Sequence, residues 1–125
     1  MTEARARRVL IADDEPNIVI SLEYLMKKEG LQVALAADGE AALRIAGEFL
    51  PDLILLDVMM PKKSGYEVCE SLRANPAHAG MRIIMLTARG RESEVAKGLA
   101  IGADAYVTKP FSTRELMQTI RALLQ

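Results

Sequence analysis

The run Leu53-Ile54-Leu55-Leu56-Asp57-Val58-Met59-Met60-Pro61 decides the fold. Apolar residues lead without interruption to one carboxylate, and a proline closes the segment soon after. A continuous apolar run of this length suits a strand covered on both faces, as in a parallel sheet. A carboxylate inside such a strand would lose its hydration without compensation. Asp57 is therefore expected at the strand's C-terminal end, the edge at which open α/β sheets bind their ligands.

On the N-terminal side, strands are expected from Arg8 to Ala12 and from Gln32 to Ala36, each followed by a helix. The first helix opens at Asp13-Asp14-Glu15-Pro16, with a proline near its first turn and acids at its positive end. Ile18, Leu22, Leu25 and Met26 form its inner stripe, and Gly30 supplies the stop. The second helix starts after Asp38-Gly39, with Ala42, Ile45, Ala46 and Phe49 inward, and Pro51-Asp52 leads into the central strand.

On the C-terminal side, Ser64-Gly65-Tyr66-Glu67 is a capping box for a third helix, with Val68, Cys69 and Leu72 inward and Asn75-Pro76 as its end. A fourth strand is expected from Arg82 to Leu86, stopping at Thr87, and a fourth helix from Arg91 to Ile101, capped by Gly102. The fifth strand runs from Ala105 to Thr108, Lys109-Pro110 follows, and Ser112-Thr113-Arg114-Glu115 caps the last helix, with Leu116, Ile120 and Leu123 as its stripe. Strands alternating with helices in this way give a single (βα)5 domain. Parallel strands require crossovers, which are right-handed and cover both faces. Residues 1–7 read as a short tail and residues 8–125 as the domain.

Composition excludes several classes. Half of the 125 residues are hydrophobic, a quarter are charged and the net charge is −1, so the chain is an ordinary globular domain without a strong bias toward nucleic acid. The apolar stretch after the basic MTEARARR is broken by Asp13, too soon for a signal-peptide core, and no apolar run reaches the ~18 residues of a membrane span. A single cysteine excludes an internal disulfide and fits a reducing compartment, so a cytoplasmic location is expected.

The polar residues at the strand ends are Asp13 and Asp14 after the first strand, Asp57 at the third, Thr87 after the fourth and Lys109 after the fifth. In a parallel sheet these ends share one edge, so three carboxylates, a hydroxyl and an ammonium converge. Clustered carboxylates raise one another's pKa or recruit a cation. An oxygen-rich site with room for water suits Mg²⁺. Thr87 and Lys109 are donors suited to the oxygens of a phosphoryl group carried by a carboxylate.

With ADDE at Ala12 to Glu15, LLDVMMP at Leu55 to Pro61, Gly65, LTA at Leu86 to Ala88 and GADAYVTKPF at Gly102 to Phe111, the chain resembles the receiver domain of bacterial two-component response regulators over nearly its whole length. The resemblance implies a flavodoxin-like five-stranded parallel sheet in the order 2-1-3-4-5. It implies that Asp57 is the phosphoacceptor, taking a phosphoryl group from a phosphohistidine of a sensor histidine kinase or histidine phosphotransfer protein. Mg²⁺ (or Mn²⁺) would be held by Asp13, Asp14, Asp57 and the backbone carbonyl of Met59. Lys109 would neutralise transition-state charge, Thr87 would bond the attached phosphoryl group, and Tyr106 would be the switch aromatic. A cis Lys109-Pro110 peptide is expected. Such a domain is a signalling switch that assists its own phosphorylation and dephosphorylation, not a conventional enzyme.

Taken singly, these residues have ordinary explanations. Asp13 or Asp14 reads equally as a helix cap, Thr87 as a turn hydroxyl, Lys109 as a solvated lysine and Tyr106 as strand packing. Their convergence on one edge is what the ordinary explanations leave unaccounted for. His78, alone in a loop, and Cys69, on an inward stripe, are assigned no chemistry, and the methionines read as packing. No G-x-x-x-x-G-K-[ST] run supports a nucleotide-binding loop. A flavin-binding site would place phosphate donors where Asp13 and Asp14 stand. A phosphatase with an aspartyl-phosphate intermediate would carry a second acid at Met59. A degenerate docking module would lack one of the acidic-site residues, and a regulatory domain excised from a larger DNA-binding or enzymatic regulator is the other alternative.

Several positions depart from the family pattern. Lys63 stands where the loop is commonly apolar, and Met59 and Arg89 flank the line along which water would attack the phosphoryl group. In the winged-helix subfamily, the face built from the fourth helix, fifth strand and fifth helix dimerises through charges. Here Val95, Ile101, Ala105 and Thr119 are uncharged there, although Asp104 and Glu115 remain. The expectation is a monomer when unphosphorylated, a downstream protein partner docking on this face, and no direct contact with nucleic acid or membrane.

Overall fold

Strands that are largely apolar on both faces must be covered on both sides, and the chain meets that demand by alternating strand and helix. The computed structural model describes residues 7–88 and 101–124. It contains β1 (Arg8–Ala12), α1 (Pro16–Lys28), β2 (Gln32–Ala36), α2 (Gly39–Phe49), β3 (Leu53–Asp57), α3 (Gly65–Ala74), a 3-10 turn at Pro76–His78, β4 (Arg82–Ala88), β5 (Ala105–Lys109) and α4 (Thr113–Leu124). The five strands form one sheet in the order β2-β1-β3-β4-β5, and every pairing is parallel. This is the flavodoxin-like five-stranded architecture, in the strand order expected. The helix expected over residues 91–101 lies, except for Ile101, outside the described residues, as do Val95 and Arg89.

Side chains alternate across each strand, which splits the core into two layers. Leu10, Ile54, Leu56, Ile83 and Met85 point to the side covered by Ala42 and Ala46 of α2 and Val68, Cys69 and Leu72 of α3. Val9, Ile11, Leu53, Leu55, Ile84 and Leu86 point to the other, covered by Leu22 and Met26 of α1 and Leu116 and Ile120 of α4. Truncating one of these fully buried side chains to alanine costs about 2–5 kcal/mol.

The helix ends follow local chemistry. Pro16 takes the first helical position of α1, where its missing N–H is no loss. The N-cap of α1 is Glu15, whose side chain makes no capping bond, so neither Asp13 nor Asp14 caps this helix. The Asp38 carboxylate caps α2 by accepting the Ala41 N–H at 2.8 Å. Ser64 and Glu67 complete the reciprocal capping box of α3. Gly30 ends α1 at φ +85°, a region favouring glycine.

Three expectations are corrected. Thr87 lies within β4 and Lys109 within β5 rather than after them, because the pairs Thr87–Thr108 and Ala88–Lys109 keep the two strands bonded past their first polar residues. Phe49 is only half-buried, with the Arg8 guanidinium 5.7 Å from its ring centre. His78, read as a loop residue, is buried in the 3-10 turn, remote in the fold from the strand ends that carry the acids.

Candidate functional site

The C-terminal ends of β1, β3, β4 and β5 place a group of polar residues along one edge. Asp13 directly follows β1, and its backbone N–H donates to the Ala36 carbonyl at 3.1 Å, so the strand pairing holds it in place. Asp57 closes β3 opposite Leu86, and the next N–H, that of Val58, donates to the Leu86 carbonyl. Asp13 is 1% exposed and Asp57 5%, while Asp14 is exposed. One carboxylate oxygen from each of the three lies within 4.8 Å of the others.

Among the described residues, one ammonium faces these acids. Lys109 Nζ stands 2.9 Å from Asp13 Oδ2 and 3.6 Å from Asp57 Oδ1, and it donates to Glu15 Oε1 at 2.8 Å. The Asp13 contact is ionic and poorly directed, since Oδ2 receives no well-aligned hydrogen bond. Asp13 Oδ1 accepts the Glu15 N–H at 2.9 Å, and Asp57 Oδ1 accepts the Met59 N–H at 3.2 Å.

Burial pushes the Asp57 carboxyl up to about 7, and the charges of Asp13 and, less strongly, Asp14 add to the rise, while Lys109 and the Met59 N–H oppose it. For Lys109, burial works against the ammonium, but the hydrogen bond to Glu15 and the close negative charges of Asp13 and Asp57 prevail and raise its pKa. Among the described residues, the crevice therefore holds more acid than Lys109 neutralises.

Thr87 Oγ1 is buried without a hydrogen-bond partner. Leaving a buried hydroxyl unsatisfied costs about 1–3 kcal/mol, so such an atom calls for an explanation. Thr87 follows Leu86, the residue paired with Asp57, so the hydroxyl belongs to the same edge. Tyr106, on β5, is half-buried, and its hydroxyl is 2.9 Å from that of Tyr66. The Lys109–Pro110 peptide is cis.

Close packing fixes the loop after Asp57. Gly65 N–H donates to the Val58 carbonyl at 2.9 Å. A Cβ on Gly65 would collide with the Asp57 carbonyl oxygen and stand 2.9 Å from Val58 Cα, so only glycine fits. Lys63 is half-buried, its backbone packed so closely on Gly39 that a side chain there would meet it.

Two participants had no assigned role in the sequence reading. Glu15 was quoted within the ADDE motif, but its bond to Lys109 spans 94 positions of sequence. Tyr66 was read as part of a capping box, and its partner is 40 residues away. Cys69 is buried with its thiol held up by burial, which fits the inert role assigned to it. No helix among the described residues is long and apolar enough to cross a membrane.

A family model described as the response regulator receiver domain matches residues 9–121. The structure is similar to that of a protein from Chloroflexus aurantiacus J-10-fl described as a response regulator (35% identity over 96% of this chain and 98% of that one, TM-score 0.91). It is also similar to the chemotaxis response regulator CheY4 of Vibrio cholerae (31% identity, 96% and 100% covered, TM-score 0.90). A third similar structure is the receiver domain of a sensor histidine kinase from Pseudomonas aeruginosa PAO1 with a magnesium ion coordinated in its active-site cleft (29% identity, 96% and 98% covered, TM-score 0.87).

Proposed function

Because the chain belongs to the response regulator receiver family, we propose that it is a phosphorylation-driven switch in which Asp57 is the phosphoacceptor. The observation that carries this reading is the buried Asp57 carboxylate, 3.6 Å from the Lys109 ammonium and within 4.8 Å of the carboxylates of Asp13 and Asp14. An Asp57 oxygen forms the new O–P bond as the N–P bond of a phosphohistidine, on a histidine kinase or histidine phosphotransfer protein, breaks and the imidazole leaves. Lys109 pairs with the phosphoryl oxygens as charge builds on them, and the unpartnered Thr87 hydroxyl donates to the attached group.

The donor set fits a hard divalent cation: all oxygen, three carboxylates, one of them exposed, and, among the described residues, an excess of acid over base. Asp13, Asp14, Asp57 and the Met59 carbonyl would hold Mg²⁺ or Mn²⁺, as the similar Pseudomonas domain holds magnesium in its cleft. When bound, the ion supplies positive charge to the phosphoryl oxygens.

For output, Tyr106 and Thr87 form the switch pair, the Tyr106 ring moving inward as Thr87 is drawn toward the phosphoryl group, and a groove of about 520 Å³ along β5 and α4 is lined by Tyr106, Phe111, Glu115 and Thr119. This face suits a partner protein. Asp104, one of its charges, is committed internally: its Oδ2 accepts from Arg73 Nη2 and from the Ile83 N–H, both at 2.7 Å. That commitment favours a monomer over an ion-paired dimer. The test is incubation with Mg²⁺ and acetyl phosphate followed by intact-mass measurement. One phosphoryl group is expected on the parent and none on Asp57→Asn; equal labelling of both refutes the assignment.

A further inference from the structure

The hydroxyls of Tyr66 and Tyr106 stand 2.9 Å apart. Tyr66 sits in the first turn of α3 and is 8% exposed, so the core fixes its ring. Tyr106 lies opposite Met85 in β5 and packs against the same core layer. The turn that carries Tyr66 is itself seated on the segment after Asp57, through the Gly65–Val58 hydrogen bond and the close packing of Gly65 on the Asp57 carbonyl. One buried tyrosine thus joins the backbone beside the phosphoacceptor to the ring on the output face.

We propose that Tyr66 is a positioning residue for Tyr106: its hydroxyl holds the Tyr106 ring on the α3 side before any phosphorylation. The significance of that position rests on the switch described above; the tether itself rests on the hydroxyl pair alone. The unphosphorylated protein then starts with its ring inward, and phosphorylation at Asp57 deepens an existing bias. The hold comes from α3, independently of Thr87.

Tyr66→Phe removes the hydroxyl and keeps the buried ring. The loss of one net hydrogen bond is expected to lower the ratio of inward to outward Tyr106 by about two- to twelvefold. The protein has three tyrosines, so fluorotyrosine labelling gives three ¹⁹F resonances that single Tyr→Phe variants assign. In the metal-free protein, the Tyr106 resonance should move or broaden in Tyr66→Phe. In a double-mutant cycle of urea stability, Tyr66→Phe should cost markedly less in a Tyr106→Phe background than in the parent. An unchanged Tyr106 resonance, or equal costs in both backgrounds, overturns the proposal. The response of the parent's Tyr106 resonance to beryllofluoride separately decides the phosphorylation switch.

Discussion

Replacing Asp57 by asparagine should stabilise the metal-free protein at neutral and alkaline pH, and the gain should vanish in acid. The Asp57 carboxyl rises from 3.8 to about 7 on folding, first because burial strips its hydration and then because Asp13 and Asp14 repel its charge. A folded pKa above the unfolded one means that the folded state binds more protons between those values, so parent stability falls as pH climbs from about 4 to about 7. Three units at about 1.4 kcal/mol each set a ceiling of about 4 kcal/mol. Asparagine escapes this loss because it does not titrate, and it keeps an acceptor for the Met59 N–H. It surrenders the Lys109 ion pair, so a gain of about 2–4 kcal/mol at pH 8 is expected, or a urea midpoint higher by about 1–2 M for a denaturant slope near 2 kcal/mol/M. Urea denaturation in EDTA at pH 4, 6 and 8 measures it. The variant-minus-parent difference should grow through that series. Millimolar Mg²⁺ at pH 8 should shrink it again by stabilising the parent alone. A difference that is flat with pH, or that favours the parent more at pH 8 than at pH 4, would refute the reasoning that Asp57 is folded at an electrostatic cost.

Asp14→Ala should remove both Mg²⁺ binding and phosphorylation with little effect on folding, since Asp14 is exposed; metal titration followed by fluorescence or NMR identical to the parent would sink its role as a ligand. Gly65→Ala should destabilise by about 1–3 kcal/mol, because its Cβ meets the Asp57 and Val58 backbone, and should slow acetyl-phosphate labelling by displacing Asp57. Thr87→Ala should still accept phosphate but lose the ¹⁹F response of Tyr106 to beryllofluoride, a response retained in full if the hydroxyl plays no part. Arg73→Ala should cost about 1–3 kcal/mol in thermal or urea unfolding, because Arg73 bonds the carbonyls of Gly102 and Met81 and the Asp104 carboxylate, and among the described residues only Asp104 keeps another hydrogen-bond partner, the Ile83 N–H, once Arg73 is removed.

The fold was legible in the sequence because its determinants are local. Apolar runs bounded by polar residues gave the bounds of β1 and β2, and helix ends are marked by Ser64 and Asp38 through bonds made within a few residues and by Pro16 and Gly30 through their own backbone preferences. The site edge was legible for the same reason, since a parallel sheet brings the residues at its strand ends together whatever lies between them. Tertiary structure alone decided the rest. Pairing with β5 carried β4 through Thr87 to Ala88, because backbone groups beside a partner strand stay bonded regardless of side-chain polarity. Burial of Asp57 beside Asp13, and hence its raised pKa, depends on how two strands align. The Glu15–Lys109 and Tyr66–Tyr106 contacts join residues 94 and 40 positions apart, and no spacing along the chain encodes them. Residue types and periodicity set which groups reach the edge, while the charge and hydrogen-bond balance among them follows from ångström-scale distances that exist only once the sheet has closed.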